Sequence, residues 1–168
     1  MADRQLYELA ERTGRALEER GLMLATAESC TGGWIAEAIT MIPGSSAWFD
    51  RGFVTYTNVS KREMLGVRGE TLDQHGAVSE PVVLEMVAGA LQASRAEVAM
   101  SVSGVAGPSG GTPGKPVGTV CFGWALKGSS PRSETRFFPG EREAVRRQSV
   151  IHGLEVVLEM LAAVPPKT

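Results

Sequence analysis

Ser29 lies in the stretch Thr26-Ala27-Glu28-Ser29-Cys30-Thr31-Gly32-Gly33, where an apolar run, Leu22 to Ala27, stops and a helical pattern starts. A hydroxyl at such a junction sits beside the N–H groups of a first helical turn, which lack intrahelical partners and carry the positive end of the helix dipole. A phosphate or a developing oxyanion is stabilised there. Ser and Thr also cap ordinary helices, and paired glycines also let a helix pack closely on a sheet. The octet therefore needs a second element before it reads as chemistry.

Tyr56-Thr57-Asn58-Val59-Ser60-Lys61 supplies that element: it ends another strand-like run, Phe53 to Tyr56, and opens a short helical pattern reaching Met64 and Leu65. Asn58 is the expected N-cap. A serine nucleophile needs a base, and neither His75 nor His152 has the spacing of a serine triad, which leaves lysine. An unperturbed lysine, with a pKa of about 10.4, is charged at neutral pH; a working base needs roughly 7 to 8, or about 4 kcal/mol of destabilisation of the cation. A helix start and the neighbouring Arg62 push Lys61 in that direction but supply only about 1 kcal/mol. Burial in a cleft must contribute the remainder, and a solvated Lys61 would stay charged. Cys30 is a rival nucleophile if the helix start lowers its pKa, and an inert thiol if it is simply buried. Arg142, at another helix start, either clamps a phosphate or carboxylate or is an exposed helix arginine.

Gly104 to Pro116 invites a phosphate-loop reading that its residues refuse. Ser109 stands where the first glycine of a Walker motif belongs, Pro116 stands where a hydroxyl would hold magnesium, and the segment leads into a strand. Its glycines allow close backbone approach to a ligand or form a tight loop. Cys30 and Cys121 have no metal-binding spacing to each other or to the histidines, so two reduced thiols and no metal site are expected. His75 and His152 read as structural or solvent-exposed residues.

The elements that must position these residues follow from periodicity. Leu6, Leu9, Ala10, Thr13 and Leu17 mark a helix stopped by Gly21; a strand runs Leu22 to Ala27 and a helix from about Thr31 to Ile42. Pro43-Gly44-Ser45-Ser46 breaks the chain before a strand expected over Arg51 to Thr57. Ser79-Glu80-Pro81 opens a long helix, Val98 to Ser103 is a buried strand, and Gly104 to Gly118 is a loop. Val117 to Leu126 and Thr135 to Phe138 read as strands of a hairpin, and a closing helix spans about Glu141 to Leu161. Helices interleaved with strands, ending in two consecutive strands, predict one α/β domain over residues 1–168: a single-domain three-layer α/β/α sandwich with a mixed, mostly parallel sheet. In such sheets ligands lie beyond the carboxyl ends of the strands, where Ser29, Tyr56 and the Gly104 loop all fall.

A 168-residue chain, 43% hydrophobic and 21% charged, has the makings of a sizeable core. A net charge of −2 and a pI near 5.8 argue against broad nucleic-acid binding and for a small ligand. No apolar stretch is long enough for a signal peptide or membrane span, so a cytoplasmic protein is expected. Self-association into a homo-oligomer is left open.

On TAESCTGG (26–33), PGSS (43–46), FVTYTNVSK (53–61), GAVSE (76–80), SGVAGP (103–108) and KPVGTV (115–120), the chain resembles the nicotinamide-nucleotide amidohydrolase family, also called the CinA C-terminal domain family. The motifs occur in the family's order and cover nearly the whole chain. The resemblance implies a deamidase that hydrolyses nicotinamide mononucleotide to nicotinate mononucleotide and ammonia, in pyridine-nucleotide recycling, with no metal or organic cofactor. By position it implies Ser29 as nucleophile and Lys61 as general base, with Tyr56 close to both. It implies substrate binding by Cys30, Thr31, Gly32, Gly33, Ser103, Gly104, Gly107 and Arg142. Ser103 stands where many relatives have Thr, which keeps the hydroxyl. Some relatives carry an additional N-terminal domain, and this chain is expected to be the stand-alone form. Two other classes stand beside the deamidase: a non-catalytic nucleotide-binding or competence- and DNA-damage-related regulatory domain, against which Ser29 and Lys61 weigh, and a phosphate-transferring enzyme, against which the missing Walker pattern weighs.

Overall fold

The computed structural model describes residues 3–168. Asp3 caps helix α1 (Arg4–Arg20) by accepting from the Leu6 N–H, and Gly21 ends it in the left-handed conformation. Strand β1 (Leu24–Glu28) is buried throughout and leads through a turn to α2 (Trp34–Thr40), a 3₁₀ turn and β2 (Phe49–Val54). Helices α3 (Asn58–Leu65), α4 (Gly69–His75) and α5 (Glu80–Gln92) precede β3 (Val98–Gly104), β4 (Thr119–Leu126), β5 (Arg132–Phe137) and the closing helix α6 (Arg142–Ala162).

The five strands form one sheet in the order β2-β1-β3-β4-β5. β1 pairs parallel with β2 and β3, while β4 runs antiparallel to β3 and β5, so four of the five strands share one direction. Alternation along the strands splits the core in two. Val98, Met100 and Val102 of β3 and Val120, Phe122 and Trp124 of β4 face the layer of α1, α2 and α6. Ala99, Cys121 and Ala125 face α3 to α5 together with Ala25 and Ala27. The second face is built of small residues, and α5 lies close upon it: Ser101 Oγ donates to Val83 O at 2.6 Å, and a Cβ on Gly123 would stand 2.6 Å from that same carbonyl oxygen. This is the three-layer α/β/α sandwich that the sequence pattern predicts.

Element limits differ where partners decide them. β2 stops at Val54, short of the expected Thr57, because its pairing partner β1 stops at Glu28 and Glu28 pairs with Val54. α2 begins three residues later than expected, because Gly32 and Gly33 hold left-handed φ values of 60° and 103° and keep Thr31–Gly33 in a turn. Helix α4 is absent from the sequence reading, and β5 begins at Arg132, where Ser133 and then Thr135 donate to the Glu80 carboxylate on α5.

After β1 the chain leaves on the face of α2, and after the adjacent parallel β2 it leaves on the opposite face through α3. Neighbouring strands that send their helices to opposite faces open a crevice at their carboxyl ends. Ser29 and Thr55 are the first residues beyond those two ends.

Candidate functional site

Lys61 reaches this crevice from α3. Thr57, not Asn58, caps that helix: its side chain accepts from the Ser60 N–H while the Ser60 hydroxyl returns to the Thr57 N–H, a reciprocal capping box. Lys61 is therefore one position further into the helix than expected, and its side chain is buried. Its Nζ lies 3.0 Å from Ser29 Oγ, 2.9 Å from Thr55 O and 3.4 Å from Tyr56 O. No carboxylate among the described residues pairs with it, and burial lowers its pKa from the ordinary lysine value. Arg62, expected to help by repulsion, instead lays its guanidinium beside Gly69. Desolvation is the main cause of the shift. A neutral amine has two protons and one lone pair; with the protons on the Thr55 and Tyr56 carbonyls, the lone pair is left for the Ser29 hydroxyl.

Cys30 is buried beside Ser29, and burial, with the Glu28 charge added, pushes its thiol up to about 12. A thiol held protonated at neutral pH is a weak nucleophile.

The positive end of α2 is occupied from within the protein. Glu28, the last residue of β1, is buried; its Oε1 accepts from Thr31 Oγ1 at 2.6 Å and the Ile35 N–H at 2.8 Å, and its Oε2 from the Ala36 N–H at 3.0 Å. Gly33, at the N-cap position, has no side chain to do this, so the carboxylate caps the helix from outside. Burial raises the Glu28 pKa, and the hydrogen bonds from Thr31, Ile35 and Ala36 oppose that rise. The expectation that α2's first-turn donors stand open for a ligand is thus corrected. Gly32 N–H is also taken, by Ser29 O at 3.0 Å. The Cys30 and Thr31 N–H groups donate to no oxygen of the described residues.

Arg142, the first residue of α6, donates from Nη1 to Gly107 O at 2.8 Å and from Nη2 to the Tyr56 hydroxyl at 3.0 Å. Tyr56 is itself exposed, so its ring forms the rim with Arg142 while its carbonyl faces Lys61.

Together Ser29, Cys30, Tyr56, Lys61, Ser103, Gly104 and Arg142 line a cavity of about 200 Å³. Of the residues named from sequence, Thr31, Gly32, Gly33 and Gly107 are not among those that line it: the first three form the turn after Ser29, and Gly107 O accepts from Arg142. Asn58, Ala77, Val78 and Ala106 line it as well. The sequence pattern gives Asn58 only the role of a helix cap and the other three none, although FVTYTNVSK, GAVSE and SGVAGP contain them. It gives none to Glu28 or Arg146 either. Glu28 sits inside TAESCTGG, and a carboxylate ending a buried strand is the signal that could have found it. Arg142 also borders two further concavities, one with Trp34, Glu143 and Arg146 and one with Pro108, Val117 and Gly140.

The family model of the CinA C-terminal domain matches residues 6–161. The nicotinamide-nucleotide amidohydrolase PncC of Escherichia coli K12 is 56% identical over 157 residues, covering 94% of this chain and 95% of that protein. The protein of the same name from Pseudomonas putida is also 56% identical, covering 90% and 94%. A crystal structure of the competence/damage inducible protein CihA from Agrobacterium tumefaciens superimposes with a TM-score of 0.91 at 46% identity, covering 96% of this chain and 98% of that one.

Proposed function

The chain belongs to the CinA C-terminal domain family, and we infer that it is a nicotinamide-nucleotide amidohydrolase, hydrolysing nicotinamide mononucleotide to nicotinate mononucleotide and ammonia. The observation that carries the reading is the buried lysine Nζ 3.0 Å from a serine hydroxyl at the mouth of the β1–β2 crevice. The reaction belongs to the single domain of residues 1–168, acting in the cytoplasm.

The chemistry follows from the protonation states. Neutral Lys61 accepts the Ser29 proton as Oγ bonds to the carboxamide carbon, and the carbonyl π electrons move to oxygen. The Cys30 and Thr31 N–H groups, which donate to no oxygen of the described residues, meet that oxyanion. The Lys61 ammonium then protonates the amide nitrogen, the C–N bond breaks, and ammonia leaves an acyl ester on Ser29. Water gives one proton to Lys61 and attacks the ester; the second tetrahedral species collapses, that proton passes to Ser29, and the acid product loses its remaining proton to solvent and departs as the carboxylate.

Sites for drug-sized ligands span about 300–1,000 Å³. The 200 Å³ cavity is therefore the place of the carboxamide ring, and the ribose and phosphate extend past Arg142 into the concavity it shares with Pro108, Val117 and Gly140. Ser103, at the end of β3, offers a buried hydroxyl to the ring end.

Ammonia release from nicotinamide mononucleotide, followed with and without chelator, tests the reading. The parent protein releases ammonia in both conditions, Ser29→Ala does not, and Cys30→Ala keeps most of the activity. Full activity in purified, folded Ser29→Ala would sink the assignment, and activity abolished by chelator would refute the metal-free route.

A further inference from the structure

Arg146 holds backbone. Its Nε donates to Cys30 O at 3.0 Å and its Nη2 to Thr31 O at 3.2 Å. Its guanidinium lies over Trp34, 5.4 Å from the ring centroid. The next residue on the helix, Arg147, is paired with Asp3 through two hydrogen bonds, whereas no carboxylate of the described residues pairs with Arg146. A half-buried planar cation with two donors on successive carbonyls and its face on an indole is fixed in orientation. The segment it fixes is the turn that carries the nucleophile.

The C=O and N–H of one trans peptide point in opposite directions. Turning the Cys30 carbonyl onto Arg146 therefore turns the Thr31 N–H away from it. That N–H has no oxygen acceptor among the described residues, while Gly32, Ile35 and Ala36 are all committed. A cation on the carbonyl also polarises the peptide and strengthens its N–H as a donor. Glu28 holds the other side of the same turn through Thr31 Oγ1.

We propose that Arg146 is a positioning residue, which aims and polarises the Cys30–Thr31 peptide so that its N–H meets the oxyanion formed when Ser29 adds to the carboxamide. The proposal rests on the amidohydrolase reading above.

The full chain is compared as parent, Arg146→Ala and Arg146→Lys. Complete removal of an oxyanion donor costs about 10²–10³ in kcat. A donor left misaimed costs less, so Arg146→Ala loses about 10- to 100-fold in kcat with KM within about threefold. Arg146→Lys, which reaches one carbonyl and cannot fork, falls between, and added methylguanidinium restores part of the Arg146→Ala rate. The decisive probe is the mononucleotide with an aldehyde in place of the carboxamide, whose hemiacetal with Ser29 places an oxygen in the oxyanion position. Its affinity falls in Arg146→Ala by the same factor as kcat/KM, while nicotinamide mononucleotide binds Ser29→Ala and Ser29→Ala/Arg146→Ala equally well.

Equal losses in the binding of aldehyde and of substrate would make Arg146 a structural tie and overturn the proposal. A raised KM with unchanged kcat would make it a substrate-binding residue and overturn the proposal as well. An unchanged kcat in Arg146→Ala beside an active parent rejects this proposal alone. A parent that releases no ammonia rejects the amidohydrolase reading and the proposal with it.

Discussion

Replacing Glu28 separates its work on the fold from its work on the reaction. The carboxylate accepts three hydrogen bonds, two of them from the N–H groups of Ile35 and Ala36 in the first turn of α2. In Glu28→Ala both lose their acceptor in a buried setting, at about 1–3 kcal/mol each. Relief of the carboxylate's desolvation offsets part of that cost, which leaves a net loss of about 2–4 kcal/mol, read by urea unfolding. Glu28→Gln keeps the acceptor for Thr31 and Ile35 but turns an NH₂ group toward the Ala36 N–H, so about 1–3 kcal/mol is lost. The pH dependence has a defined sign. Burial raises the Glu28 pKa above 4.5, so between 4.5 and the raised value the folded protein binds more protons than the unfolded chain. The contribution of Glu28 is thus fully present below 4.5 and declines as pH rises through the raised pKa, and the stability difference between parent and Glu28→Gln narrows over that window. With the turn loosened, kcat falls more than KM rises. A Glu28→Ala protein within about 1 kcal/mol of the parent would refute the external-cap argument, and a stability difference that widens with pH would refute the sign of the shift.

The remaining predictions concern the base, the substrate's phosphate and the packing of the sheet. Because burial lowers the Lys61 pKa from 10.5 and the neutral amine is the active form, kcat/KM rises with pH through an apparent pKa below that of free lysine. Lys61→Arg is inactive, because guanidinium keeps its proton; an active Lys61→Arg would show that another group activates Ser29. Arg142→Ala frees the Tyr56 hydroxyl and Gly107 carbonyl and removes the cation at the cavity rim. It therefore raises KM for the mononucleotide far more than for the riboside, and equal effects on both substrates would remove the phosphate from its role. Gly123→Ala places a Cβ 2.6 Å from Val83 O and from Ser101 Oγ, which costs about 1–3 kcal/mol of stability by thermal or urea unfolding and leaves kcat/KM of the folded protein unchanged. A neutral effect on stability would show that α5 can withdraw from the sheet.

Local periodicity and turn chemistry determined much of this protein by themselves. The helical spacing of Leu6 to Leu17, the buried run of β3 and the closing helix are properties of a few consecutive residues, and their observed limits lie within one or two residues of those expected. The strand-to-helix junction at Ser29 was legible as well, although its turn runs through Gly33 where a helix from Thr31 was expected. Limits set by a partner or a turn were not: β2 ends where β1 ends, and α2 waits for a turn that Gly32 and Gly33 hold in the left-handed conformation. Lys61 illustrates the division. Its place near a helix start was visible in the chain, but its 32-residue reach to Ser29 and its burial, the main cause of its lowered pKa, come from two parallel strands that send their helices to opposite faces. Arg146 was silent for the same reason, and Glu28 showed only as a carboxylate ending a buried strand. A carboxylate becomes a helix cap, and an arginine a clamp on two carbonyls 116 and 115 residues away, only when packing brings those groups within hydrogen-bond reach, and no spacing along one chain encodes that distance.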